Sequence, residues 1–294
     1  IGPYYGPIVR NPSGLLAIAH ASTRTSEARE RPAIHESLLR LGELARARDG
    51  EPEGVLNLWP LGHRVLYLTN LPVLASPFGS HLGGTSFDEA SDLFLEEEEQ
   101  RVIDRMSDRS LRWVVIDADL GTVGASIRAR GDLTRDYYEQ RRLPTGEQQI
   151  EHRRALLRTL YGRLAVLAGN GADGVVEPLH HFRLVVDGAH DHTGGHPRVF
   201  ERVAGARVRL RGESDATYRF EYHFVSDVGR ARRYAVSVET DASGRADVVL
   251  PYSSDRPAIG HDSVWRVTGP GAAEELHVPE DAVRHGRSLD MVLG

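Results

Sequence analysis

Leu111-Arg112-Trp113-Val114-Val115-Ile116-Asp117 is the stretch on which the reading of the fold turns. It is a short apolar run rich in β-branched and aromatic residues, and it predicts a buried strand. Working outward, Phe87–Met106 before it has helical periodicity and predicts one amphipathic helix, with the acidic run Glu96–Glu99 as its solvated face. Further upstream, Gly54–Leu58 predicts a short buried strand and Trp59-Pro60-Leu61-Gly62-His63 a turn. Arg64–Thr69 follows as a short helix or strand, then the apolar segment Pro72–Ser76 and a Gly-rich loop at Ser80–Thr85. Ala33–Arg48 carries Ile34, Leu38, Leu41 and Leu44 at helical spacing and is closed by Asp49-Gly50-Glu51-Pro52. Residues 1–32 read as a Gly/Pro/Ser-rich linker. Downstream, Ile150–Ala168 predicts another amphipathic helix through Leu156, Leu157, Leu160, Leu164 and Leu167, and Phe182–Val186 returns as a strand.

Beyond about residue 196 the helical period stops. Ala206–Arg211, Tyr218–Ser226, Tyr234–Thr240 and Ala246–Pro251 alternate, with the hairpin turn Asp241-Ala242-Ser243-Gly244 among them. Val264–Thr268 and Glu275–Val278 complete the set. The expected fold class is therefore α+β: a mixed α/β core domain over 33–190, then a small all-β sandwich or barrel over 197–294, with the boundary in the loop 187–197.

Composition narrows the function. The 294 residues carry a formal net charge of −6, which disfavours a nucleic-acid partner and a general basic membrane-surface patch. All 36 basic residues are arginine, and there is no cysteine, so disulfides, thiolate metal sites and Cys nucleophiles are excluded. The sequence opens at Ile1 and contains no apolar run of membrane-spanning length, so we expect either a cut from a longer chain or removal of a leader.

No Walker loop, Gly-x-Ser-x-Gly elbow or His-Glu-x-x-His motif is present. Two features could carry chemistry. One is the group His180, His181, Asp187, His190, Asp191, His192 and His196, in which His190, His192 and His196 could offer ligands to Zn²⁺ or form a solvated linker. The other is the turn Leu58–His63, where Trp59 could pack a peptide side chain or sit in the core at a domain corner.

Asn57-Leu58-Trp59-Pro60-Leu61-Gly62-His63, followed by Tyr67, Pro72-Val73-Leu74-Ala75 and Pro77-Phe78-Gly79, resembles the Trp-Trp-Asp-Tyr-Gly region of oligosaccharyltransferase catalytic subunits, especially archaeal ones. Further likenesses follow in order: Leu111–Asp117, Leu160-Tyr161-Gly162-Arg163-Leu164, Arg198–Ala206, Val249–Ser254 and Val278–Val283. The resemblance implies the extracytoplasmic C-terminal region of a membrane enzyme that moves a lipid-linked oligosaccharide to asparagine of an acceptor polypeptide. This region would contribute acceptor recognition through Leu58, Trp59, Pro60, Leu61, Gly62 and His63, with Asp117 at a second motif. Glu27 loosely resembles an acidic residue of an external loop in that family. A divalent metal, Mn or Mg, is implied in the membrane part, which would also tether the region to the outer face; no catalytic residue is implied here. The chain departs from the pattern where Leu58, Pro60 and Leu61 replace Trp, Asp and Tyr. The carboxylate acceptor is gone, and Pro60 offers neither a polar side-chain atom nor an N–H. The alternative is a non-catalytic extracytoplasmic binding or scaffold module.

Overall fold

The computed structural model describes residues 32–48, 50–78, 85–117, 120–142, 148–189, 196–255 and 264–293. By packing, the chain divides into two units: residues up to Val166 with Gly188–Arg198, and Leu167–Asp187 with Val199–Gly294. The α+β class expected from the sequence is borne out, with helices concentrated early and sheets late.

The first unit opens with α1 (Pro32–Arg46), whose stripe Ala33, Ile34, Leu38 and Leu41 is buried. β1 (Gly54–Asn57) is buried at every position and runs parallel to β2 (Leu111–Ile116). On its other side Val55 bridges Val73, with Val55 N–H donating to Pro72 O and Leu74 N–H to Val55 O. β1 is thus sandwiched between two parallel neighbours, which explains why its sequence is apolar on both faces. The expected turn after β1 is a 3₁₀ turn, Trp59–Leu61, that runs straight into α2 (Gly62–Thr69). Pro60 suits that place, because the first helical N–H groups have no intrahelical acceptor and Pro lacks one to satisfy.

The single helix expected over Phe87–Met106 is two helices, α3 (Ser86–Phe94) and α4 (Glu99–Asp108). Glu96 breaks it: its Oε1 accepts from the N–H groups of Glu97 and Glu98, and its own carbonyl accepts from Leu160 N–H. After β2 come α5 (Leu120–Ala129), α6 (Thr134–Tyr137) and the antiparallel hairpin of β3 (Tyr138–Arg142) with β4 (Gln148–His152). The helix expected over Ile150–Ala168 is likewise corrected. Its start is β4, and its remainder is α7 (Arg154–Arg158) and α8 (Leu160–Ala165), split at Thr159. Thr159 is extended, with φ −66 and ψ 156, and its hydroxyl caps α8 by accepting from Gly162 N–H.

The second unit holds β5 (Phe182–Asp187) beside β6 (Arg198–Arg202), whose last residues belong to it. Two larger sheets follow. One contains β7 (Ala206–Arg211), flanked by β10 (Arg245–Leu250) and β13 (Ser288–Val292). The other has the order β12 (Ala272–Leu276), β11 (Trp265–Gly269), β8 (Thr217–Val225), β9 (Ala231–Glu239). A short helix, α9 (Glu280–His285), precedes β13. Period-2 alternation turns Tyr218, Phe220, Tyr222 and Phe224 of β8 inward, where Tyr222, Tyr252, Tyr234 and Trp265 form one aromatic cluster. Each polar tip in that cluster finds a partner: Tyr222 donates to Ser253 O, Tyr234 to Leu179 O and Trp265 to Tyr252 O, while Tyr252 accepts from Leu184 N–H.

Candidate functional site

In a parallel sheet, loops that leave the carboxyl ends of the strands form the edge where ligands bind. In the first unit that edge is built by the ends of β1 and β2 and by the segment after Val73. Asn57 pairs with Val115, so β1 and β2 end within one residue of each other. Trp59 and Asp117 therefore each stand two residues past the end of the ladder, on neighbouring strands. The turn after β1 and the second motif are brought to one edge of one sheet.

Asn57 organises the turn, though sequence reasoning had not singled it out. It is fully buried, and its Nδ2 donates both to Leu58 O at 2.9 Å and to Ala75 O at 2.7 Å. Two carbonyls fix the amide's orientation. They leave Oδ1 buried with no hydrogen-bond partner. The Ala75 carbonyl that Asn57 holds also lies against Gly62: a Cβ built there would sit 2.0 Å from that oxygen. Strand end, helix start and the 75–76 segment thus meet through one carbonyl, and only glycine allows the approach.

Around this joint, Leu58 is buried, Trp59, Pro60 and Leu61 are half-buried and His63 is exposed. The Trp59 ring meets Phe87 edge-to-face at 6.0 Å, and His63 meets Phe78 edge-to-face at 5.4 Å. Phe78 and Tyr67 show 56% and 87% of their surface to solvent, so this edge carries exposed aromatic rings. His63 has its pKa lowered from 6.5 by partial desolvation, with Arg64 adding to the effect. Because the folded value lies below the unfolded one, the unfolded chain binds more protons. His63 therefore costs no stability above about pH 6.5 and destabilises as pH falls through the folded value. An NMR titration of the His63 ring is expected to give a midpoint below 6.5; a midpoint at or above that value contradicts the packing against Phe78.

Asp117 is buried at 3% exposure, and its Oδ1 accepts from His196 N–H at 3.2 Å. Its carbonyl accepts from the Tyr161 hydroxyl, which ties the end of β2 to α8. His196 is buried too, and its Nδ1 accepts from Arg198, whose guanidinium also donates to the carbonyls of Leu164 and Ala165. That acceptor nitrogen is committed beside a permanent positive charge, which opposes cation binding. Elsewhere in the expected histidine group, His180 Nδ1 bonds Val249 O, His181 Nδ1 bonds Val203 O, and Asp187 is held bidentately by Arg232. Glu27, His190, Asp191 and His192 lie outside the described residues. Among the described residues no three His, Asp or Glu side chains converge to hold a metal ion.

Known proteins share this fold. Residues 205–289 match the family described as the archaeal glycosylation protein B long peripheral domain. An Archaeoglobus fulgidus oligosaccharyltransferase solved with Zn and sulfate superposes with TM-score 0.73 at 17% identity, over 90% of this chain and 47% of that one. The A. fulgidus oligosaccharyltransferase AglB solved with an inhibitory peptide and a dolichol-phosphate gives TM-score 0.72 at 16% identity, over 90% and 43%. An A. fulgidus oligosaccharyltransferase tethered to an acceptor peptide containing the NVT sequon gives 0.67 at 17%, over 84% and 39%. No curated protein sequence matches the chain. The chain spans less than half the length of these solved structures. The resemblance read from the sequence is borne out: the chain shares the fold of part of these oligosaccharyltransferases, and its β-rich part matches the long peripheral domain family over residues 205–289.

Proposed function

We propose that this chain is the acceptor-facing, extracytoplasmic region of a membrane-bound oligosaccharyltransferase-like enzyme that transfers a lipid-linked oligosaccharide to asparagine of a polypeptide. The observation that carries the reading is the placement of the Trp59–Gly62 turn and Asp117 at the carboxyl ends of adjacent parallel strands. The peptide and dolichol-phosphate held by the A. fulgidus relatives supply the classes of partner. No helix among the described residues is long and apolar enough to cross a membrane, so the lipid-linked donor and the divalent Mn or Mg would be held by a membrane portion outside these elements. Here Trp59 would pack an acceptor side chain, on a rim made of Leu61, His63 and Phe78 rather than of a carboxylate.

The loss of a carboxylate at Pro60 favours one second reading, a binding or scaffold module with no part in transfer. A single substitution separates the two. Trp59 is half-buried and packs on one ring, so Trp59→Ala should leave the chain folded. In the complete enzyme it is expected to lower glycosylation at least ten-fold, on the scale of one lost aromatic contact of about 1.5 kcal/mol or more. The purified 294-residue chain should itself transfer no glycan. Unchanged glycosylation by the Trp59→Ala enzyme overturns the acceptor role and leaves the scaffold reading.

A further inference from the structure

The outer face of the sheet β10-β7-β13 carries a row of arginines. β7 alternates strictly, burying Ala206, Val208 and Leu210 and exposing Arg207, Arg209 and Arg211. These three arginines leave one face of the strand, their Cα atoms about 6.6 Å apart. Register places exposed Arg245 of β10 directly opposite Arg211, and exposed Val292 of β13 on its other side. Arg209 faces Asp247 on one neighbour and Asp290 on the other. None of the four arginines forms an ion pair among the described residues. Asp241, at the turn before β10, commits its carboxylate to Ser243 and the Arg245 N–H.

Like charges placed directly opposite across a ladder destabilise a sheet, so the Arg211–Arg245 pair works against the fold. We propose that this face docks the β-rich unit on an anionic lipid surface. The outward positions of its three strands hold no aromatic residue, and their markedly exposed apolar side chain is Val292, at 67%. A protein partner would need a buried apolar hot spot, whereas a plane of monoanionic headgroups satisfies a row of guanidinium groups without one. The formal net charge of −6 expected from composition argues only against a general basic surface. At physiological salt, charges more than about 8 Å from the contact are largely screened, and the outward face keeps a local excess of positive charge, four arginines against Asp247 and Asp290 on the strands and Asp241 beside Arg245.

The test is co-sedimentation of the 294-residue chain with vesicles of phosphatidylcholine alone or mixed with phosphatidylglycerol. Binding is expected only to the mixed vesicles and should weaken as salt rises. The variant Arg207→Gln/Arg211→Gln/Arg245→Gln is expected to bind about 100-fold more weakly, from about five-fold per arginine. All three side chains are solvent-exposed, so the variant should stay folded and unfold no earlier than the parent chain, slightly later where the Arg211–Arg245 repulsion is relieved. Asp247→Asn/Asp290→Asn should bind more tightly. No partition, equal partition onto neutral vesicles, or an unchanged triple variant overturns the proposal. So does capture by polyglutamate beads without vesicle binding, which assigns the face to an acidic protein instead.

Discussion

Arg183→Met is expected to destabilise the β-rich unit by about 3–5 kcal/mol, read as a drop in the chemical-denaturation midpoint. Arg183 on β5 keeps 3% of its side chain exposed. Its Nε and Nη2 donate to Glu201 Oε2 at 3.0 and 2.8 Å, and its Nη1 and Nη2 donate to Glu280 at 2.8 Å each. Burial alone would pull its pKa down, but the coulombic pull of Glu201, with the hydrogen bond and charge of Glu280, outweighs burial and holds it above its ordinary value. The guanidinium is therefore a fixed charge at every working pH. Removing it leaves two carboxylates facing each other, Glu201 at 2% side-chain exposure and Glu280 at 13%. The cost comes mainly from that uncompensated charge. Arg183→Met/Glu201→Leu should therefore recover part of the loss, because Glu280 keeps Arg284 at 2.8 Å. A single variant as stable as the parent chain would show that the triad contributes nothing net.

This cluster also explains a choice the fold makes. Arg183 lies on β5, Glu201 on β6 and Glu280 on α9, so partners 18 and 97 residues away in sequence meet at one guanidinium. An apolar trio of similar volume could be as stable, but it would accept more than one alignment of these elements. Forked hydrogen bonds accept few. Asp187, at the end of the same strand, repeats the device with Arg232 at 2.7 and 2.9 Å.

Neither cluster was legible in the sequence, because arginine is everywhere in this chain and pairing is a long-range property. What was legible was local. The run Leu111–Ile116 declared its burial, and the alternation of β7 and β8 declared theirs. The helix over Ile150–Ala168 was misread for a definite reason: Leu156, Leu160 and Leu164 keep one phase across the break at Thr159, so periodicity alone cannot show it. Gly162 marks the spot, since a Cβ there would lie 1.9 Å from the Leu156 carbonyl, an approach that no continuous helix makes. Over Phe87–Met106 the acidic run, read as a solvated face, contains the break itself, because the Glu96 side chain serves the amides a helix would have left to its backbone. At the site, the family-like turn and Asp117 could be found by motif. Asn57 stands in the same stretch, but its role could not be read there, because its task is to hold a carbonyl 18 residues on.

That carbonyl makes Gly62→Ala the second large effect. The substitution looks mild, since Gly62 has φ −54, an ordinary helical value, and alanine favours helices. Geometry reverses the sign. The added Cβ would meet Ala75 O at 2.0 Å, the Ala75 carbonyl carbon at 2.9 Å and the Ser76 Cα at 2.7 Å, all backbone atoms that no rotamer change can move. Nor can the carbonyl swing aside, because Asn57 Nδ2 holds it at 2.7 Å and would lose a buried hydrogen bond. The expected loss is about 3 kcal/mol, at the upper end for overpacking, with the Trp59 turn displaced from the strand edge. On the proposed function, glycosylation by the complete enzyme should fall at least as far as with Trp59→Ala. Trimming the neighbour, as in Gly62→Ala/Ala75→Gly, should restore nothing, since the clash is with the main chain of residue 75 and not with its methyl group. His63→Ala, on the exposed side of the same turn, should leave stability nearly unchanged. A Gly62→Ala chain as stable as its parent would mean that the start of α2 and the segment at Ala75–Ser76 do not approach this closely, and the joint that holds the Trp59 turn at the end of β1 would fall with it.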